Sequence, residues 1–445
     1  MGQYHFIAIG GIGMSGLAKY LLEDGHTVSG SDITDSKYIE KLRKLGAKVY
    51  IGHFGENVPD GATVIISTAI KENNPELMRA KELGLKIYHR SDLLREIAQS
   101  AQKAGKMFIG FSGTHGKTTT SGLSSYVLEK SGFDPSFVVG GILPDINTNA
   151  QHKTGNHFIA ELDESDGTIV KYSPDILVIN NLEEDHLDFY KNGMVDLVKT
   201  FNYSVKNSKK VIINSDNKGL KMLSGEFITY GLKNADYEAK NIEYTKDYTS
   251  FDIIKKGSYY TNVKIQLSGI HNVYNTLAVV SALSESGVDV SQLKDSFYNF
   301  TGMGRRFQKV CELKGIKVYD DYAHHPTEIK ATLEAAAQKF GKENIVAVFQ
   351  PHRYTRLQSL WSEFLTSFNN TARLVVTDVY AASEDAIEGV SGEKFASELP
   401  KAEYISGNIE NVAEVLLPSL KKGDIVVGLG AGTITNLGKC LQNVI

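Results

Sequence analysis

Cysteine is nearly absent: Cys311 and Cys440 are the only two in 445 residues, far apart and without paired spacing. That argues against a disulfide framework and a zinc site, and a reducing cytoplasm is expected. No apolar run is long enough to cross a bilayer, and the first residues carry no charged leader and no signal-type apolar core. Neither a membrane span nor export is expected. Basic charge is not in excess: 48 Lys and Arg stand against 52 Asp and Glu, a net charge of −4, which argues against a non-specific nucleic-acid binder. There is also no internal sequence repeat and no low-complexity tract. What is present suits a folded globular protein, with 42% apolar and 22% charged residues. The length exceeds what one hydrophobic core usually serves, so two to three domains are expected.

Short apolar strands alternate with helical stretches from Tyr4 to about Gln102: His5–Ile9, Met14–Glu23, Thr27–Ser31, Lys37–Leu45 and Thr63–Ser67. This is the rhythm of a parallel sheet. A polar helical stretch, Ser91–Lys106, leads to a strand at Met107–Phe111 that opens a second unit. That unit continues through Phe158–Glu161, Ile176–Asn180 and Val211–Asn214, with an antiparallel β insertion expected between about Lys233 and Lys264. After Gly302-Met303-Gly304 the rhythm restarts, with strands at Lys317–Asp320, Ile345–Phe349, Leu374–Asp378 and Ile425–Gly428. The reading is α/β with three domains, at residues 1–104, 105–308 and 309–445.

Gly11-Ile12-Gly13-Met14-Ser15-Gly16 lies between a strand and a helix, where small residues let backbone amides and a helix N-terminus approach a pyrophosphate. Asp32 ends the next strand, where dinucleotide folds often place a ribose-binding acid. This pair alone suits a nicotinamide-dependent oxidoreductase equally well. The stronger signal is Ser112-Gly113-Thr114-His115-Gly116-Lys117-Thr118-Thr119-Thr120, also between strand and helix. Its amides can surround a phosphate, Lys117 can reach the outer oxygens and Thr118 can face magnesium, so ATP is expected. Phe111 stands where the general phosphate-loop pattern has its first glycine. A late Gly428–Ile434 run reads as a tight turn, since no acidic partner follows it at dinucleotide spacing.

The Gly113–Thr120 run resembles the ATP loop of the Mur ligases. Further runs agree in order along essentially the whole chain: Ala160–Asp166, Asn181–Asp188 and His271–Asn275. The resemblance implies an N-terminal Rossmann-like domain that binds a UDP-linked substrate, a central P-loop ATPase-like domain and a C-terminal Rossmann-like domain. It makes Lys117, Glu161, His186 and His324 the catalytic set. It assigns Gly113, Thr114, His115, Gly116, Lys117, Thr118, Thr119, Asn275, Arg306 and Asp321 to ATP, and Thr118, Glu161 and His186 to two magnesium ions, with Glu164 the rival of Glu161. Some relatives carry a carbamylated lysine where Phe201 aligns, so none is expected here.

Tyr322-Ala323-His324-His325 and His352-Arg353-Tyr354-Thr355-Arg356, together with Gly10–Gly16, resemble the family branch that adds L-alanine to UDP-N-acetylmuramate in peptidoglycan synthesis. By that resemblance Gly11, Gly13, Met14, Ser15, Gly16, Asp32, Ser67 and Ala69 serve the UDP substrate. Tyr322, His324, His352, Arg353 and Arg356 serve the amino acid. Arg353 and Arg356 would share one face if a helix starts there. Asp320, Asp321, His324 and His325 are not expected to converge on a metal, because neighbours in an extended segment point apart. The implied enzyme is cytoplasmic and a monomer or weak homodimer, with no nucleic-acid partner. Alternatives are a ligase that recycles a whole tripeptide onto the same acceptor, a nicotinamide oxidoreductase and a non-catalytic nucleotide switch.

Overall fold

The computed structural model describes residues 2–185, 189–245, 247–400 and 402–444. Three sheets follow one another along the chain, as the alternation of strand and helix requires. The first runs in the order Lys48–Ile51, Thr27–Asp32, Gln3–Ile7, Thr63–Ile66, Ile87–His89, with every pairing parallel. Strand order reverses beside Gln3–Ile7, so the turn that leaves this strand opens at the switch point where such sheets bind ligands. The following helix, Ile12–Glu23, buries Met14, Leu17, Ala18 and Leu21 at helical spacing, which presses it onto the sheet.

The second sheet has ten strands. At its centre Ile176–Ile179, Met107–Ser112, His157–Glu161 and Ser136–Leu143 lie side by side in parallel, and Thr148–Gln151 closes one edge antiparallel. Lys210–Asn214 and Ile228–Gly231 continue the other side, followed by Tyr237–Tyr244, Thr249–Lys255 and Ser258–Ile265. These last three are the expected β insertion, but it enters the sheet in parallel, with Tyr237 beside Tyr230. The Asp236 carboxylate accepts hydrogen bonds from the Thr229 amide and hydroxyl and fixes that entry. Helix Lys117–Lys130 buries every residue from Thr120 to Leu128. Its small residues allow close packing, and the hydroxyls of Ser121 and Ser125 turn back onto the carbonyls of Lys117 and Ser121.

The third sheet runs Gln308–Leu313, Ile316–Asp321, Ile425–Leu429, Ile345–Phe349, Arg373–Val376, Ala402–Tyr404, parallel except for its first pair. Its two central strands, Ile425–Leu429 and Ile345–Phe349, carry no charged residue and are buried along their whole length, as cover on both faces demands. By compactness the chain divides into one unit of Met1–Asn241, Phe251–Val263 and Tyr274–Phe300, and another of Ile242–Ser250, Lys264–Val273 and Thr301–Ile445.

Candidate active site

Three neighbouring central strands end at the same edge, so the segments that follow Ser112, Glu161 and Ile179 meet there. The loop 113–116 depends on two left-handed glycines, Gly113 at φ +119° and Gly116 at φ +83°. A methyl group on Gly113 would lie 2.8 Å from the Asn181 carbonyl oxygen, which leaves no room for a side chain. Asn181 clamps the loop: its Oδ1 accepts from the His115 amide at 2.7 Å and its Nδ2 donates to the His115 carbonyl at 3.1 Å. The Thr114 hydroxyl donates to the Glu183 carbonyl and accepts from the Glu183 amide, and Asn180 Nδ2 donates to Thr120 Oγ1. Sequence reading placed Asn181 in a family run but missed this role. A pair of asparagines directly after an all-apolar strand was the available signal.

Lys117 opens the helix, and its ammonium donates to the Gly113 carbonyl at 2.9 Å and to Glu164 Oε1 at 2.8 Å. Burial works against its charge, but Glu164, Asp163 and Glu161 outweigh burial and hold its pKa above the ordinary range. Glu164 is 1% exposed, and burial pushes its carboxyl up to about 7 against the pull of Lys117. Glu161 is half-buried, and its Oε2 accepts from the Gly140 amide at 2.9 Å. Of the two rivals for magnesium, Glu164 is thus committed to Lys117, while Glu161 stands at the strand end held by an amide. Thr118 and Thr119 lie in the first helical turn, and a methyl group on Gly116 would lie 2.7 Å from Asn275 Oδ1. Asn275 therefore reaches the loop from helix Ile270–Glu285. His186 lies outside the described residues. Among the described residues no three His, Cys, Asp or Glu side chains converge as a metal site.

In the first domain Gly11 caps helix Ile12–Glu23 without a side-chain hydrogen bond. Gly13 stays partly open, while Met14, Ser15 and Gly16 are buried. The Met14 side chain belongs to the core, and Gly16 packs so tightly that a methyl group would lie 2.6 Å from Asn149 Nδ2. Asp32 holds the loop beside it: its carboxylate accepts from the Gly10 amide at 2.9 Å and the Thr34 amide at 3.3 Å, pinning the glycine loop. Ser67 and Ala69 occupy the turn after Thr63–Ile66, closed by the Ile70 amide on the Ser67 carbonyl.

In the C-terminal unit, Asp321 Oδ2 accepts from the Phe307 amide and Oδ1 from the Ala323 amide, both at 2.7 Å, while burial pushes the carboxyl up to about 6. Asp320 instead meets the Thr435 hydroxyl, and His325 caps helix Pro326–Phe340, so these residues diverge. The guanidiniums of Arg305 and Arg306 lie over the Tyr322 ring, 4.8 and 5.3 Å from its centroid, and Arg306 pairs with Glu328 at 3.6 Å. Arg305 also donates to the Gly430 carbonyl at 2.9 Å, which fills the late glycine turn with a side chain. His324 Nδ1 lies 3.0 Å from the Tyr322 carbonyl, and burial lowers its pKa to about 4. His352 stacks on Tyr380 with centroids 5.5 Å apart, and burial, then His324 and nearby arginines, lowers its pKa to about 3.

A guanidinium only donates, so the 3.1 Å contact from Arg356 Nη1 makes His352 Nδ1 the acceptor and leaves the proton of the neutral ring on Nε2. Arg353 differs from expectation. It precedes helix Tyr354–Ser359 at φ +69°, held there by its amide on the Tyr380 carbonyl, and its Nε pairs with Glu384 at 4.0 Å. The helical face that Arg353 and Arg356 were expected to share therefore does not form.

Known proteins match this chain along its length. Residues 3–102 match the "Mur ligase family, catalytic domain", residues 111–283 the "Mur ligase middle domain" and residues 305–432 the "Mur ligase, glutamate ligase domain". The UDP-N-acetylmuramate–L-alanine ligase of Pelobacter propionicus is 40% identical, covering 100% of this chain and 98% of the relative. That of Sulfurihydrogenibium sp. is 41% identical, covering 99% and 97%. The crystal structure of UDP-N-acetylmuramate-alanine ligase from Thermotoga maritima superposes with a TM-score of 0.86 at 29% identity, covering 100% of both chains. With three successive family domains in order and relatives matched from end to end, the chain belongs to the Mur ligase family.

Proposed function

We propose that the chain joins L-alanine to the lactyl carboxylate of UDP-N-acetylmuramate, converting ATP to ADP and phosphate. The observation that carries this reading is Lys117, set in a glycine loop at the carboxyl edge of the central sheet and facing Glu161 and Glu164. Relatives of about this length with that activity match the whole chain.

The γ-phosphate of ATP would lie over loop 113–116, and Lys117 would exchange the Gly113 carbonyl for phosphate oxygens. The lactyl carboxylate would attack the γ-phosphorus while the bond to the β–γ bridging oxygen breaks and ADP leaves, giving an acyl phosphate, a reaction helped chiefly by positioning and fixed charge. Thr118 and Glu161 are oxygen donors of the kind magnesium prefers, and Glu161 keeps acceptor capacity beyond its one amide contact. Bound there, magnesium supplies positive charge to the phosphate oxygens. Asn275 adds a contact from the neighbouring helix, and Arg306 and Asp321 are assigned to the nucleotide. The glycine loop 11–16, with Asp32, Ser67 and Ala69, would hold the uridine diphosphate.

For the amino acid, Arg356 and the Nε2–H of His352 offer donors to a carboxylate, with Arg353, Tyr322 and His324 beside them. The amine then attacks the acyl carbon, the carbon–oxygen bond to phosphate breaks, and the amine loses a proton. The proposed setting is the cytoplasm, where ATP is available and the two unbonded cysteines stay reduced. Among the described residues no helix is long and apolar enough to cross a membrane.

The test is phosphate release from ATP and magnesium with UDP-N-acetylmuramate, comparing L-alanine, glycine, L-serine, D-glutamate and the tripeptide. Release that favours L-alanine is expected. Release with the tripeptide alone would move the chain to the recycling branch.

A further inference from the structure

Helix Arg90–Lys103 starts at the very end of strand Ile87–His89, which puts Arg90 at the carboxyl edge of the first sheet. Its backbone is well anchored. The His89 amide donates to Asp92 Oδ2 at 3.1 Å, and Lys171 donates to Asp92 Oδ1 at 2.7 Å and Ser91 Oγ at 2.9 Å. The guanidinium faces two places at once. A methyl group on Gly13 would lie 3.3 Å from Nη1, so this nitrogen borders the glycine loop. Nη2 donates to Asp163 Oδ2 at 3.4 Å. Asp163 sits between Glu161 and Glu164 in sequence, and its charge acts on Lys117. Neither the reaction outlined above nor the family runs in the sequence give Arg90 a task.

We infer that Arg90 is a positioning residue that holds the diphosphate of the acceptor through Nη1 while Nη2 keeps Asp163, so that acceptor binding and nucleotide binding strengthen each other. A guanidinium presents five N–H groups in a rigid plane and can serve two anions together; a lysine ammonium is a single point charge and cannot span them in the same way. Binding at one loop then fixes the acidic run that faces the other, which is a coupling between two sites in the reciprocal sense. The inference rests on the functional reading above.

The test uses the full chain and its R90K, R90M and D163N variants. UDP is titrated alone, and a non-hydrolysable ATP analogue with magnesium is titrated with and without UDP. In the wild type UDP should tighten analogue binding. R90M should weaken UDP by about tenfold or more, as expected for a lost charge-assisted contact, and abolish the tightening. R90K should keep part of the UDP affinity yet lose the tightening, and D163N should keep UDP affinity and lose it too. Wild-type UDP affinity in R90M, or tightening that persists in R90K and D163N or is missing from the wild type, overturns the inference. Failure of the functional reading shows elsewhere, as phosphate release that does not depend on L-alanine, while the UDP titrations still decide the role of Arg90.

Discussion

Glu164→Gln should change how the stability of the protein depends on pH. Glu164 is 1% exposed, and its carboxyl is pushed from an ordinary 4.5 up to about 7, first by burial. A carboxyl that keeps its proton longer in the folded state than in the unfolded one stabilises the fold fully below the unfolded value. That contribution is lost as pH rises from about 4.5 through about 7 and is level above it. The gap corresponds to about 3 kcal/mol, at about 1.4 kcal/mol per tenfold in proton affinity. Lys117 is held above its ordinary range by the same acids, remains protonated across this window and adds no slope. Glutamine keeps the size and an acceptor but does not titrate. Melting temperatures of both proteins measured from pH 4.5 to 8 should therefore diverge, with the wild type falling relative to the variant. For a domain of about 200 residues the relative fall is roughly 6–12 °C, complete near pH 7. Parallel curves for the two proteins would refute the reasoning, because they would mean that Glu164 titrates alike folded and unfolded.

Lys117→Ala should lower kcat by about 10³-fold or more with the circular dichroism spectrum unchanged, since the charge proposed to face the γ-phosphate is lost and the helix is not. Near-normal turnover would remove Lys117 from the chemistry. Gly113→Ala forces a methyl group to within 2.8 Å of the Asn181 carbonyl and a side chain into φ +119°; ATP titration should show clearly weakened binding, and unchanged affinity would mean the loop is not the phosphate cradle. Arg356→Ala should raise KM for L-alanine by roughly 10- to 100-fold, the range for a charge-assisted hydrogen bond, and that for ATP far less. Equal effects on the two would count against the assignment.

The glycine loop between strand and helix was legible because its pattern is local: a strand, two glycines, a lysine and a helix within ten residues. The sheet rhythm was legible for the same reason, as apolar strands and amphipathic helices repeat at short range. What escaped reading depends on partners distant in sequence. Asn181 meets the His115 amide only because strands Met107–Ser112 and Ile176–Ile179 are neighbours in the sheet. The position of Asp32 was foreseen, but its grip on the Gly10 amide required the fold. A helix that included Arg353 would have set it on one face with Arg356, yet the bond of its amide to the Tyr380 carbonyl keeps it out of the helix. Spacing does not distinguish Glu161 from Glu164 either; only the fold shows that Glu164 is the one buried against Lys117.

The central claim is that the lactyl carboxylate becomes an acyl phosphate before the amine arrives, and oxygen transfer tests it most directly. UDP-N-acetylmuramate carrying ¹⁸O in both carboxylate oxygens is incubated with ATP, magnesium, L-alanine and the protein, and the products are weighed by mass spectrometry. The account predicts one ¹⁸O in the released phosphate and one in the new amide. Unlabelled phosphate, or phosphate without an alanine-bearing product, would contradict it.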